Sequence, residues 1–137
     1  MTATAATPTQ EHALTVVRRW VDAFNRRDAE ALVRLAHPTV VVSPSALFRR
    51  RDQYGGHDGL RQWIAELVAD DSPGSVVITD VQQQRSGEVL VTGEIAVHGR
   101  VVNPVAGLFE IKDGLVLSAR SYLSDERTMR HVGHIDR

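Results

Sequence analysis

Residues 76–123 leave this chain few ways to fold. They hold four runs of strand-forming residues, at 76–84, 89–98, 102–111 and 115–123, rich in Val, Ile and Leu. The connections are Arg85-Ser86-Gly87, a turn at Gly99, and Lys112-Asp113-Gly114. None is long enough for a crossover helix, so successive runs are expected to pair as antiparallel hairpins. Three helical patterns come before them. In 11–27 the larger apolar residues fall at Val16, Val17, Trp20, Val21 and Phe24, on one helical face. Asp28 is placed to cap a second helix carrying Leu32, Val33, Leu35 and Ala36, which stops at His37 because Pro38 disfavours helical geometry in its predecessor. A strand at 39–43 ends at Pro44, Arg49, Arg50 and Arg51 follow in a polar hairpin or loop, and a third helix at 60–69 aligns Leu60, Trp63, Ile64 and Leu67.

Helices first and strands last predict an α+β fold, with helices packed on one face of a curved antiparallel sheet. At 137 residues the chain has material for a single domain. Residues 1–10 are expected to be a flexible arm and 11–137 the domain. The absence of Cys excludes thiol nucleophiles, thiolate metal sites and disulfide frameworks. Sixteen basic against 17 acidic residues create no field that would gather nucleic acid or anionic lipid. No apolar run approaches the roughly 18 residues of a spanning helix, and the first ten residues lack the basic start and hydrophobic stretch of a signal peptide. A cytoplasmic protein without nucleic-acid or membrane partners is expected.

A three-residue loop at 112–114, with Gly114 left-handed, would pair Ile111 with Leu115. Asn103, Val105, Gly107, Phe109, Leu117, Ala119, Ser121 and Leu123 then share one face. Ala106, Leu108, Glu110, Val116, Ser118, Arg120 and Tyr122 share the other. Both faces are substantially apolar. Helices cover one, and a second copy of the chain is the expected cover for the other, anchored at Leu108, Arg120 and Tyr122.

Several stretches resemble the SnoaL-like branch of the nuclear-transport-factor-two-like superfamily. They are Trp20-Val-Asp-Ala-Phe-Asn-Arg-Arg-Asp28, the strand from Thr39 to Pro44, Tyr54-Gly-Gly-His-Asp-Gly59, Gly107-Leu-Phe-Glu-Ile-Lys-Asp-Gly114 and Arg120-Ser-Tyr122. The resemblance spans roughly residues 12–133. It implies a cone-shaped α+β barrel with a deep apolar pocket, commonly dimerised through the outer sheet face. It does not imply one reaction, because the superfamily includes ketosteroid isomerases, polyketide cyclases, dehydratases, epoxide hydrolases and binding domains. On the isomerase pattern the base falls at Ser43, the Tyr donor at Trp20 and the neutral acid at Gly107, so steroid isomerisation by that route is not expected. The Gly-x-Phe-Glu strand and the Arg-x-Tyr ending are closer to limonene epoxide hydrolases. There Ser121 replaces the Asp of the relay, leaving Ser43 and Asn103 to position a water.

The expected catalytic residues are Asp80, Tyr54, Ser43 and His57; the expected ligand-binding residues are Trp20, Phe24, Trp63, Val91, Asn103, Gly107 and Ser121. His131 and His134 lack a third ligand at metal spacing, so no metal is expected, nor any cofactor. Asp80 decides between two functions. A three-residue loop at Arg85-Ser86-Gly87 pairs Gln83 with Val89 and turns Asp80 outward. A two-residue turn pairs Gln84 with Val89 and turns Asp80 inward, opposite Gly93, where a missing side chain would leave room for substrate. An inward Asp80 favours a cofactor-independent cyclase, isomerase, dehydratase or epoxide hydrolase acting on an apolar cyclic or isoprenoid metabolite. An outward Asp80 favours a non-catalytic ligand-binding or dimerisation module, unless His57 enters the cavity in its place.

Overall fold

The structure, a computed structural model, describes residues 8–123. Helix α1 runs Pro8–Asn25, α2 Ala29–Leu35 and α3 Gly56–Ala69. The strands are β1 Ala36–Ser43, β2 Tyr54–Gly55, β3 Ser75–Gln83, β4 Val89–Val97, β5 Arg100–Lys112 and β6 Leu115–Leu123. Pro8 opens α1, where its fixed φ and missing N–H suit a first helical position. Residues 8–10, expected in the arm, therefore belong to the helix. Arg27 turns left-handed at φ 55°, closing α1. Asp28 then caps α2 as the sequence suggests, its Oδ1 accepting from Ala31 N at 3.0 Å. That helix stops at Leu35, two residues earlier than the proline argument placed its end.

Six strands form one open sheet in the order β2-β1-β6-β5-β4-β3. The four late strands are antiparallel, as expected. The sheet is nevertheless mixed, because β1 joins β6 in parallel, with Val42 opposite Ala119 and Ser43 opposite Arg120. No local signal announces a pairing between segments so far apart in sequence. Between helices and sheet lies the core. Val17, Leu32, Val40, Leu60, Val89, Ile95 and Val116 are completely removed from solvent there.

Three bulges set which side chains face that core. The β3–β4 hairpin adopts the three-residue loop, with Gly87 at φ 93° and Gln83 opposite Val89. Farther along, Asp80 pairs with Thr92 but Ile78 pairs with Gly93, leaving Thr79 as an extra residue. This one-residue shift brings Val76, Ile78 and Val81 all to the inner side, where each packs on the core. Without it, hydrophobicity would be split between the two registers. A second bulge, at Val102, separates the Ile95–Asn103 pair from Ala96–Val101.

The third bulge, at Leu117, corrects the expected β5–β6 turn. Asp113 and Gly114 are both left-handed, at φ 54° and 77°, and Lys112 pairs with Leu115. This is a two-residue Asp-Gly turn, whose twist matches the strands it joins. Ile111 consequently faces Val116, which is fully buried in the core rather than on the outer face.

Leu108, Arg120 and Tyr122 do share the outer face. Leu108 is only 1% exposed within the single chain, so its burial needs no second copy. Its cross-strand neighbours Leu90 and Arg120 flank it, and Arg120 reaches over β5 to Glu88 on the β4 side, Nη2 to Oε2 at 2.7 Å. Valines at the sheet margins, Val41 and Val77, remain exposed on that face.

Candidate functional site

An apolar pocket opens between α1, α3 and the inner face of the sheet. Trp20, Val21 and Phe24 line it from α1, Trp63 from α3, and Pro44, Ser45 and Phe48 from the segment after β1. The sheet contributes Val76, Val91, Val105, Gly107, Phe109 and Ser121. Its cavity volume is about 70 Å³. The walls are held by ring packing. Phe24 stacks on Trp63 at 5.2 Å between centroids and meets Phe48 edge-on at 5.0 Å, while Trp20 meets Phe109 edge-on at 6.2 Å. The Trp63 indole N–H donates to Phe48 O at 2.7 Å, tying the wall after β1 to α3.

Of the residues expected to bind a ligand, Trp20, Phe24, Trp63, Val91, Gly107 and Ser121 come together here. Asn103 does not. It sits nearer the β4–β5 turn, opposite Ile95, with its Nδ2 donating to Pro104 O at 2.8 Å.

None of the four expected catalytic residues lines the pocket. Asp80 shares the outer face with Thr92, Ala106 and Tyr122 and is exposed. The space over Gly93 holds the backbone of β3 rather than a substrate, since a Cβ there would lie 3.2 Å from Val77 C and closer still to Val77 O. Ser43 alternates with the buried Val42 and points outward beside Arg120. His57 occupies the first turn of α3, its Nε2 3.0 Å from Ala36 O. Tyr54 is buried behind Trp63. Its hydroxyl donates to Glu66 Oε1 at 2.6 Å and accepts from Arg50 N at 3.2 Å.

Burial, together with the neighbouring Glu66 carboxylate, raises the Tyr54 phenol above its ordinary pKa. The same hydrogen bond, and then Arg51, hold the Glu66 carboxyl below its usual range. Glu66 also pairs with Arg51 at 3.3 Å, and Arg50 donates to Asp70 at 2.7 Å from Nε. Arg50 and Arg51 thus fasten the segment that carries Phe48 onto α3 and its C-terminal end.

Seven pocket residues lie outside the expected ligand-binding set, and two of them carry no sequence signal for the site. Ser45 and Phe48 lie between a strand end and the arginine run, and only the inward turn after Pro44 brings them to the cavity. Ser45 is 4% exposed. Among the described residues, no group of three or more His, Asp or Glu is arranged to hold a metal ion. His131 and His134 lie outside the described residues. No helix among them is long and apolar enough to cross a membrane.

Three helices on this mixed, curved sheet define the nuclear-transport-factor-two-like fold. Residues 17–119 match the SnoaL-like domain, and the chain belongs to that family. No curated protein matches it in sequence. Among solved structures it is similar to Bal32a from a soil-derived mobile gene cassette, with a TM-score of 0.70 and 19% identity, over 93% of this chain and 98% of that one. An NTF2-like protein of Burkholderia pseudomallei K96243 superposes with a TM-score of 0.66 at 15% identity, over 87% and 95% of the two chains. An LEH-like epoxide hydrolase of M. tuberculosis superposes with a TM-score of 0.62 at 18% identity, over 87% and 83%.

Proposed function

We propose that this chain is a ligand-binding member of the SnoaL-like family, whose pocket takes a small, neutral, apolar molecule. One observation carries the reading: among the described residues, no ionisable side chain lines the pocket. Cyclisation, isomerisation, dehydration and epoxide opening all move protons, and each needs a titratable group within reach of the reacting atom. Trp20, Phe24, Phe48, Trp63 and Phe109 instead supply flat apolar surface. The cavity, about 70 Å³ and open at one side, has flat aromatic walls that suit a small ring.

Cyclohexene oxide serves as both ligand and substrate in the test. It should perturb the fluorescence of Trp20 and Trp63 with an affinity constant from pH 5.5 to 8.5, and hydrolyse no faster with the protein than in buffer. Accelerated hydrolysis, or an affinity that titrates across that range, would return the chain to the enzymes of its family.

A further inference from the structure

We propose that Ser45 and Ser121 together hold the oxygen of a neutral carbonyl compound, an inference that rests on the binding reading above. Both residues line the pocket, and they come from adjacent chain segments. Strand β1 ends at Ser43, opposite Arg120 on β6, so the chain enters Pro44 and Ser45 next to the strand that carries Ser121. Ser45 is almost wholly buried, yet its side chain makes no capping bond to the short 3-10 turn Ala46–Phe48 that follows it. Neither hydroxyl has a hydrogen-bond partner among the described residues. Among the described residues the one fully buried side-chain polar atom without a partner is Gln83 Oε1, so both serine hydroxyls remain reachable from the pocket, and a ligand oxygen that enters can pair with them.

The surroundings leave these two groups to do the recognition. Gly107 pairs with Ser121, and a Cβ at Gly107 would sit 3.8 Å from Ser121 Oγ and 3.3 Å from Phe109 Cε1. The glycine therefore keeps open the space over the hydroxyl. The Trp63 N–H is already committed to Phe48 O. Arg27, the cation packed behind the wall, lies 4.5 Å over the Phe24 ring and donates to the carbonyls of Phe24, Ser72 and Gly74. A carboxylate in the pocket would be desolvated with no facing positive charge, so the ligand is neutral. Two hydroxyl donors match the two lone pairs of one carbonyl oxygen, whereas an alcohol would engage one serine as donor and the other as acceptor, so the comparison with cyclohexanol decides between them. The ligand class is a small cyclic ketone, or an aldehyde of similar size.

The test compares cyclohexanone with methylenecyclohexane, which has the same shape but a CH₂ in place of the oxygen. Each is titrated into the wild type, Ser45→Ala, Ser121→Ala and the double variant. Each single substitution should weaken cyclohexanone about 3- to 10-fold, and the double about 10- to 100-fold. Methylenecyclohexane should change by less than about twofold, and the thermal midpoints should stay together because no internal hydrogen bond is lost. Cyclohexanol binding more tightly than cyclohexanone would overturn the carbonyl assignment. Equal loss of both probes, or no loss of either, would overturn the role of the serines and leave the binding reading standing. If neither probe binds the wild type, the binding reading itself fails and this inference with it.

Discussion

Replacing Gly93 with alanine should destabilise the protein by about 3 kcal/mol or more, at the upper end of what overpacking costs. The added methyl would meet backbone: Val77 O, Val77 C at 3.2 Å and Ile78 Cα at 3.3 Å. No rotamer change relieves such a contact, so strand β3 would have to move. It is not free to do so. Asn25 at the end of α1 holds Val76 from both sides, accepting from its N–H at 2.8 Å and donating to its carbonyl at 2.9 Å. The Thr79 bulge beside Gly93 is where the edge of the sheet bends over the pocket, and a glycine there is what permits the bend. Urea unfolding measures the effect, with Gly107→Ala as the comparison. Its methyl's one tight contact is with the side-chain atom Phe109 Cε1 at 3.3 Å, Arg120 O and Ser121 Oγ lying at ordinary contact distances of 3.6 and 3.8 Å, and the expected loss is about 1 kcal/mol or less. Equal stabilities for the two variants would mean that β3 does not lie where it is described.

Trp63→Ala should cost about 3–5 kcal/mol, the range for removing a large buried aromatic side chain. The ring is 4% exposed, stacks on Phe24 and lies against Tyr54 at 6.1 Å. Its loss also strips Phe48 O of the indole N–H, leaving a buried acceptor unpaired at a cost of about 1–3 kcal/mol within that total. Because Trp63 is also a wall of the cavity, the variant should bind bulkier rings than the wild type once cooled or stabilised enough to fold. A loss below about 1.5 kcal/mol would show that Trp63 is not part of the closed core described above.

The elements legible in the sequence were those with a local cause. Helical spacing of Val16, Trp20 and Phe24, the Asp28 cap and the short hairpin connections each act within a few residues, and each is present in the fold. Bulges are different. The extra residues at Thr79, Val102 and Leu117 answer to packing across the sheet, and each shifts the inward and outward alternation by one position. That is why Val116 is inward, and why Val76 and Val81 share a side. The parallel β1–β6 pair likewise joins distant segments and leaves no signature in either one. For the site, residues on helix faces and central strands could be assigned from periodicity, so Trp20, Phe24, Trp63, Val91 and Gly107 were found. Ser43 faces outward, and the chain turns inward only after Pro44, so Ser45 rather than Ser43 lines the pocket. Tyr54 and His57, expected among the catalytic residues, lie outside the pocket: the Tyr54 hydroxyl is engaged by Glu66, and the His57 ring lies on Ala36 O.

Among the described residues no charged side chain lines the pocket between helices and sheet, and methyl resonances report on that site directly. Cyclohexanone added to valine-methyl-labelled protein should shift Val76, Val91 and Val105, which line the pocket, and leave Val41, Val77 and Val102, exposed on the outside, unmoved. Shifts confined to the exposed valines, or spread evenly over both groups, would contradict a ligand site between the helices and the sheet.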